Sequence, residues 1–309
     1  IAYMSVCVFM QIPNMVHIVI QKILQATGNM IAPMWFQIAG VVFNFVFDPL
    51  LIFGIGPFPK MGVVGAAVAT VLGYVVSTII ALIQLFLTKQ KVKPVFKNCL
   101  EPQMIKLIFS YGLPSFVMNA LGAFTVNFAN MFLVRYSDTA VAFFGAYFKV
   151  QQLIFMTVNG LIQGCLPIMR FNYRAKEYGR LKQANKSGTI IATVMMIVGM
   201  LLVLIFPKEI LFLFSASEEM CAFGVPAMRI MSLGFVFSGF SAMIATYEQA
   251  TDSIMPGVVV QLLRQGVLLV PVIWLLNSAV QMTGIWLAFP ITEFVTFLVA
   301  VVFAKIKNH

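Results

Sequence analysis

The sequence has 309 residues, of which 61% are apolar and 10% are charged, and its mean hydropathy is +0.97. Soluble globular chains carry about 25% charged residues, so this composition excludes a soluble protein and indicates a chain that crosses a membrane many times. The net charge of +10 does not indicate nucleic-acid binding, which requires basic residues interleaved with stacking aromatics on a soluble face.

Long apolar runs are the main structural signal along the chain. About 20 apolar residues cross the roughly 30 Å of bilayer hydrocarbon as a helix. Nine such runs predict an all-α polytopic membrane protein. The predicted spans are 3–27, 34–54, 63–88, 104–134, 139–169, 187–206, 219–247, 255–276 and 283–305.

A motif beside the second predicted span recurs later in the chain. Residues 25–29 with Pro33 are matched by 249–253 with Pro256, and Met61 is matched by Met282, at an offset of 221 to 224 residues. A duplication of this period predicts two equivalent halves. Fewer apolar runs precede the first copy than the second, so we expect about 120 residues, or three helices, before residue 1 in a parent of two pseudo-symmetric six-helix lobes.

Asp48 lies inside the second predicted span, where an ionisable side chain costs about 2.5–3.5 kcal/mol on insertion scales. Asn44 lies one turn earlier on the same helical face, and Pro49 removes the hydrogen bond from the Phe45 carbonyl. These oxygens suit Na⁺, and a partly desolvated carboxylate suits H⁺ equally well. The alternative is that Asp48 and Pro49 merely end the helix near the outer surface.

A polar stretch separates two groups of predicted spans. It covers residues 89–103 and contains Pro94 and Pro102. We therefore predict three regions: 1–88, the second half of an N-terminal lobe with three helices; 89–103, a cytoplasmic linker; and 104–309, a complete C-terminal lobe with six helices. Pseudo-symmetric lobes around a central cavity are typical of secondary transporters.

The second lobe contains fewer candidates. Glu293 lies midway along the last span and is a candidate for proton or cation handling, although pairing with Arg264 explains it equally well. Asn119 and Gln163 are further candidates for this polar site. We expect Glu248 and Asp252 to be solvated at the end of the seventh span.

Other polar residues and prolines lie within the spans. Gln37 and Gln152 are candidates to line a substrate cavity, although interhelical hydrogen bonds are an alternative for every such amide. Pro49, Pro114 and Pro290 are candidate kinks, although proline is common in membrane helices. The four cysteines and two histidines have no ligand spacing, so we expect no cofactor, and no metal beyond Na⁺ at Asp48.

The basic residues are concentrated in alternate loops, which predicts the orientation. They follow the third and fifth spans and end the chain, whereas the other loops carry only Lys60, Arg135 and Lys208. The positive-inside rule therefore predicts a multi-pass protein of the cytoplasmic membrane with a cytoplasmic C-terminus.

Several of these segments resemble one known family. The first-lobe signature comprises residues 25–29 with Pro33, then 44–54 and 62–70, and the second-lobe matches include 112–114, 172–173, 263–266, 284–288 and Pro290. Together they resemble the multidrug and toxic compound extrusion (MATE) family, nearest its bacterial and archaeal branch. Departures include Gln25 for the usual Arg, Arg174 for a Gly and Glu293 for the commoner Asp.

The resemblance implies helices 4 to 12 of a twelve-helix antiporter driven by Na⁺ or H⁺. It places the family's cation site on Asn44, Asp48 and Thr70, with a further Asp on a helix before residue 1. Its implied substrates are small amphipathic, often cationic organic compounds, exported by a monomer embedded in the lipid bilayer. The alternatives are a flippase of lipid-linked oligosaccharides or polysaccharides from the same superfamily and, from another class, an intramembrane enzyme.

Overall fold

The computed structural model describes residues 11–29, 31–87, 101–251 and 254–307, and the regular structure within them is helical. This confirms the prediction of an all-α polytopic membrane protein. Six of the described helical segments are long and apolar enough to cross a membrane. The helices are α1 (Gln11–Ala26), α2 (Ile31–Phe53), α3 (Val63–Leu87), α4 (Pro102–Leu133), α5 (Asp138–Arg174), α6 (Tyr178–Ile205), α7 (Pro207–Leu213), α8 (Glu218–Ser232), α9 (Phe235–Ala250), α10 (Ile254–Leu262), a π turn (Leu263–Val267), α11 (Leu269–Val280) and α12 (Met282–Lys307).

The chain divides into two compact units, Ile1–Cys99 and Leu100–His309. In the first unit, α3 packs against both α1 and α2. Its small core contains Leu24 and Phe36, both almost completely buried, with Ala81 and Leu85 of α3. Between helices, Ser77 Oγ donates to the Phe36 carbonyl at 3.0 Å, so a polar side chain adds to this apolar contact.

The second unit has a larger core, formed mainly where α5, α6, α9 and α12 pack together. Phe143 and Phe144 are buried beside Trp286, and the Phe143 and Trp286 rings meet edge to face with centroids 5.2 Å apart. Aromatic pairs of this geometry stabilise a core beyond the area that they bury. They hold α5 against α12, and both helices also contribute side chains to the cavity described below.

Helices α5 and α6 extend well beyond the predicted spans. Residues 170 and 174 lie in the last turns of α5, and residues 180, 182 and 186 in the first turns of α6, although the sequence placed all five in a loop. All five side chains are exposed. The prediction was wrong because hydropathy marks the apolar part of a helix and not its polar continuation.

Two predicted spans are interrupted. The seventh consists of α8 and α9, which are separated at Leu233 and Gly234. A Cβ atom on Gly234 would lie 3.2 Å from Pro290 Cα and 3.3 Å from Glu293 Cγ, so glycine permits a close approach to α12. The eighth contains the π turn, after which the chain continues as α11 to Val280.

The two copies of the repeated motif end their helices in the same way. Thr27 Oγ1 donates to the Leu24 carbonyl at 2.8 Å after α1. Thr251 Oγ1 donates to the Tyr247 carbonyl at 3.0 Å and to the Glu248 carbonyl at 3.3 Å after α9. A hydroxyl that satisfies a terminal carbonyl is one means of closing a helix. The sequence repeat therefore has a counterpart in local structure.

Glu248 is buried, with 2% of its surface exposed, so the prediction that it is solvated was wrong. Helix α9 packs against α5, α6 and α12, and burial continues to its last residue, Ala250. A position at the end of an apolar run therefore did not imply contact with solvent. Asp252 lies outside the described residues.

Candidate functional site

The first candidate site lies where α2 and α3 approach each other closely. A Cβ atom on Gly73 would lie 2.8 Å from the Gly40 carbonyl oxygen and 3.2 Å from Asn44 Cβ. A larger residue would separate the helices, because Cβ atoms do not tolerate contacts below about 3 Å. Ala67 and Ala69 of α3 are also fully buried. Small residues thus allow polar side chains of both helices to meet.

Three predicted residues meet at this contact and form what we call the Asn44 cluster: Asn44, Asp48 and Thr70. Asn44 Nδ2 donates to Asp48 Oδ1 at 3.4 Å and to Thr70 Oγ1 at 3.2 Å. Thr70 Oγ1 in turn donates to the Ala66 carbonyl at 2.9 Å, which leaves its lone pairs for Asn44. The amide of Asn44 therefore links a carboxylate on its own helix to a hydroxyl on α3.

Asp48 retains the capacity to bind another group. The side chain is partly buried, and its Oδ2 atom has no hydrogen-bond partner among the residues that the structure describes. A carboxylate oxygen of this kind can take up H⁺, or can serve with amide and hydroxyl oxygens as a ligand for a hard cation. Pro49 follows it within α2 and is exposed.

The second candidate site is a cavity of about 510 Å³ inside the second unit. Among the described residues that line it, the charged ones are Arg264 and Glu293. Helix α5 supplies amides and aromatic rings to one wall, and α4, α10, the π turn, α11 and α12 supply the others. The lining residues used below are Phe144, Phe148, Gln151, Gln152, Phe155, Asn159, Gln261, Arg264, Phe289 and Glu293.

Arg264 and Glu293 form an ion pair at this cavity. Arg264 Nε donates to Glu293 Oε1 at 2.8 Å, and the two side chains are 17% and 13% exposed. The guanidinium carbon also lies 4.8 Å from the ring centroid of Phe155, at the distance of a cation–π interaction. Of the two sequence alternatives for Glu293, the pairing with Arg264 is therefore present.

The π turn places Arg264 at the cavity wall. Leu268 N donates to the Leu263 carbonyl five residues earlier, at 3.1 Å, which widens the helix by one residue. Pro271, without an N–H group, cannot donate to the carbonyl four residues before it, so the regular α pattern is already incomplete there. Widened turns of this type rotate the side chains that follow relative to a regular helix and often occur at functional sites.

The remaining predicted residues have different positions. Gln152 lines the cavity of the second unit, as predicted for a substrate cavity. Gln37 is exposed and donates to Gln21 Oε1 at 3.1 Å, and Gln163 is exposed and outside the cavity lining. The side chains of Asn119 and Pro114 lie outside the described residues. Pro49 and Pro290 both lie inside helices, and their role as kinks stays a prediction.

Sequence reasoning missed part of the cavity wall. Gln151 and Phe155 of α5 and Gln261 of α10 were not selected as site residues. A signal existed, because Gln152, Phe155 and Asn159 recur at intervals of three and four residues and so occupy one face of a helix. The wall formed by α10 and the π turn gave no such periodic signal, since the π turn interrupts the regular spacing of residues along the helix.

Comparison with known proteins shows the family. The MatE family model matches residues 114–275, more than half of the chain. The chain belongs to the MatE family. The names of its relatives describe transporters, so the alternative of an intramembrane enzyme is rejected.

Curated relatives of this MatE chain are called multidrug export protein MepA. The protein of Staphylococcus aureus strain bovine RF122 / ET3-1 is 26% identical over 277 residues, which cover 89% of this chain and 60% of that protein. The Staphylococcus saprophyticus protein is 26% identical over 304 residues, or 97% and 65% of the two chains. The chain thus spans about three fifths of the length of the curated relatives that it matches first.

Solved structures share the fold. One is an outward-facing multidrug resistance MATE family transporter of the MOP superfamily, with a TM-score of 0.88, 21% identity, and coverage of 99% of this chain and 69% of the other. Another is a MOP superfamily transporter from Pyrococcus furiosus, for which a reversed polarity of the binding pocket suggests a different function. Its TM-score is 0.89, at 21% identity and the same coverage.

Proposed function

We propose that the chain is part of a cation-coupled antiporter that exports amphipathic, cationic organic compounds, and that Asp48 is its coupling carboxylate. The Asn44 cluster carries this proposal. A partly buried acid with one unpartnered oxygen lies beside an amide and a hydroxyl at a close contact of two membrane helices. The multidrug export function named for the curated relatives supports the substrate class.

The mechanism follows from what a bound cation changes at Asp48. Binding of H⁺ or Na⁺ neutralises the carboxylate and weakens its hydrogen bond from Asn44, because a charged acceptor binds a donor more strongly than a neutral one. Asn44 then no longer holds Asp48 and Thr70 together, and α2 is free to change shape near Pro49. Release of the cation restores the original arrangement. A cation affects export in this way only if it binds one arrangement better than the other.

Charge in the second unit supports an exporter over a lipid-linked oligosaccharide flippase. A site for a pyrophosphate-linked lipid requires several cationic side chains that remain available to the phosphates. In the cavity lined by described residues, the cationic side chain is Arg264, which supplies a single positive charge where a pyrophosphate needs several. A wall of phenylalanines and amides around one ion pair suits drug-like organic molecules better.

The test compares Asp48→Asn with wild type, both expressed from the complete reading frame that contains this sequence. Inverted membrane vesicles receive either a Na⁺ or an H⁺ gradient, and gradient-driven transport of a cationic dye is measured. We expect Asp48→Asn to reduce transport at least about tenfold under the gradient that drives wild type, since an amide cannot exchange charge as a carboxylate does. The gradient that drives wild type identifies the coupling ion.

Asp138→Asn is the matched control. Asp138 is exposed in the first turn of α5, so the same chemical change there leaves transport near the wild-type rate. Immunoblots of the membranes check that both variants insert in equal amounts. Undiminished gradient-driven transport by Asp48→Asn would refute the coupling role.

A further inference from the structure

We propose that the cavity of the second unit binds aromatic carboxylates, with Arg264 as the receptor for the carboxylate group. This is a binding site separate from the Asn44 cluster, and it concerns a ligand of opposite charge to the substrates proposed above. It holds or fails independently of whether Asp48 couples transport to a cation. The argument begins with the hydrogen-bonding capacity of Arg264.

Arg264 has donors that the protein does not use. Its Nε–H group donates to Glu293 Oε1, whereas its two terminal amino groups have no acceptor among the described residues. The residue lines the cavity with 17% of its side chain exposed. A planar guanidinium with two free amino groups matches the two oxygens of a carboxylate, and Phe155 beneath it holds the plane in position.

Glu293 cannot offer a ligand cation the same access. Its Oε1 atom is occupied by Arg264, and its Oε2 atom is buried from solvent without a hydrogen-bond partner in the described part of the chain. A cationic ligand must therefore displace Arg264 before it reaches the carboxylate. An anionic ligand approaches the terminal amino groups without breaking the ion pair. Access thus favours an anion, although the nearby negative charge of Glu293 opposes it.

The remaining walls of the cavity favour an aromatic ring system as the part of the ligand that carries the carboxylate. The ring centroid of Phe144 lies 5.8 Å from that of Phe148 and 5.8 Å from that of Phe289, and all three residues line the cavity. Phe144 and Phe289 are buried, so the partly exposed rings of Phe148 and Phe155 offer most of the aromatic surface to a flat ring system. Gln152 and Asn159 are exposed on the α5 wall and can bond polar substituents. The volume of about 510 Å³ lies within the range of small-molecule sites.

The experiment measures binding of 2-naphthoate by isothermal titration calorimetry, with protein expressed from the complete reading frame that contains this sequence and purified in detergent. We expect Arg264→Gln to weaken binding at least about tenfold, because the amide removes both the charge and the paired donors. Glu293→Gln should strengthen binding several-fold, since it removes the negative charge beside the ligand. A protein in which Arg264 merely stabilised the fold would not show tighter binding after Glu293→Gln.

Arg135→Gln is the matched control. Arg135 also lies over a phenylalanine ring, 5.5 Å from the centroid of Phe132, but outside the cavity lining, so binding should match wild type. If Arg264→Gln aggregates on size-exclusion chromatography, Arg264→Lys replaces it. That variant keeps the charge and loses the paired donors, and it should bind several-fold more weakly than wild type.

Three results would overturn the proposal, two of them obtained with variants. One is equal affinity for 2-naphthoate in wild type and in the folded Arg264 variant, which would place the ligand elsewhere. The other concerns the cation 1-naphthylmethylamine. If this amine competes with naphthoate for wild type and no longer binds to Glu293→Gln, the cavity is a site for cations. Absence of naphthoate binding to wild type also refutes the site.

Discussion

Thr70 contributes to the Asn44 cluster through a single hydroxyl oxygen, so its role can be tested with little change in shape. Valine has nearly the same volume but cannot accept from Asn44 Nδ2. Loss of one such hydrogen bond costs about 0.5–1.5 kcal/mol. We expect Thr70→Val to raise the cation concentration for half-maximal gradient-driven transport about two- to tenfold. The measurement is transport by vesicles across a series of Na⁺ concentrations or pH values, whichever ion drives the wild type.

The control for this prediction is Thr78→Val on the same helix. Thr78 Oγ1 bonds the Tyr74 carbonyl at 2.8 Å and the Pro13 carbonyl at 2.7 Å, away from Asp48. Its loss should lower stability without changing the cation dependence. Equal shifts in the cation dependence for both variants would show that the effect of Thr70→Val comes from helix packing and not from the cluster.

At the residue scale, sequence reasoning identified pairs within one helix more readily than pairs across helices. Asn44 and Asp48 are one turn apart, so helical geometry alone predicted that they share a face. Thr70 lies on another helix and was assigned only through the family resemblance. Arg264 and Glu293 remained two open alternatives, because nothing in a single sequence fixes the distance between α12 and the π turn. The family comparison leaves the roles of these residues as proposals.

At the element scale, the close contact of α2 with α3 depends on glycine residues, which have no side chain. A Cβ atom on Gly73 would lie 2.8 Å from a backbone oxygen of Gly40, which cannot move without shifting the helix. Overpacking of this kind costs about 1–3 kcal/mol. We expect Gly73→Ala to lower the melting temperature of the purified chain by several degrees and to weaken cation binding, because Asn44 moves away from Thr70.

Gly145→Ala provides the comparison for Gly73→Ala. Gly145 lies inside α5 with nothing within 4 Å of its added Cβ, and alanine favours a helix by about 1 kcal/mol over glycine. Its melting temperature should equal or exceed that of wild type. A Gly73→Ala protein as stable as Gly145→Ala would mean that α2 and α3 do not need their close approach.

The all-α, membrane-embedded class followed from the sequence because burial in lipid requires long apolar runs. Helix ends and interruptions did not, since they depend on contacts outside the run. The exposed basic ends of α5 and α6 extend past their apolar parts, and the break at Gly234 reflects its approach to Pro290. The π turn around Arg264 likewise leaves no periodic signal.

For the whole molecule, the order of the predicted spans predicts the relative sides of the loops. The sequence predicts seven spans between the loop at residues 54–62 and the end of α12, and these contain α3, α4, α5, α6, α8 with α9, α10 with α11, and α12. Five of the seven are among the described helical segments long and apolar enough to cross a membrane, and α4 and α10 with α11 are not. An odd number of crossings places the two points on opposite sides of the membrane. Exposed cations are clustered where α5 meets α6. Because short basic loops stay in the cytoplasm, this cluster favours the orientation in which the C-terminus is cytoplasmic.

We therefore expect a green fluorescent protein fused after His309 to fluoresce in bacterial cells and an alkaline phosphatase at the same position to be inactive. The reverse pattern should result from fusions after Pro57, in the loop between α2 and α3, since fluorescence requires folding in the cytoplasm and phosphatase activity requires export. Substituting the exposed cations Arg170, Arg174, Lys176, Arg180, Lys182 and Lys186 by glutamine should raise phosphatase activity at His309, because the cytoplasmic bias of this loop is lost. Active phosphatase at His309 in the unaltered protein would instead invert the orientation, and with it the side from which a cation reaches Asp48.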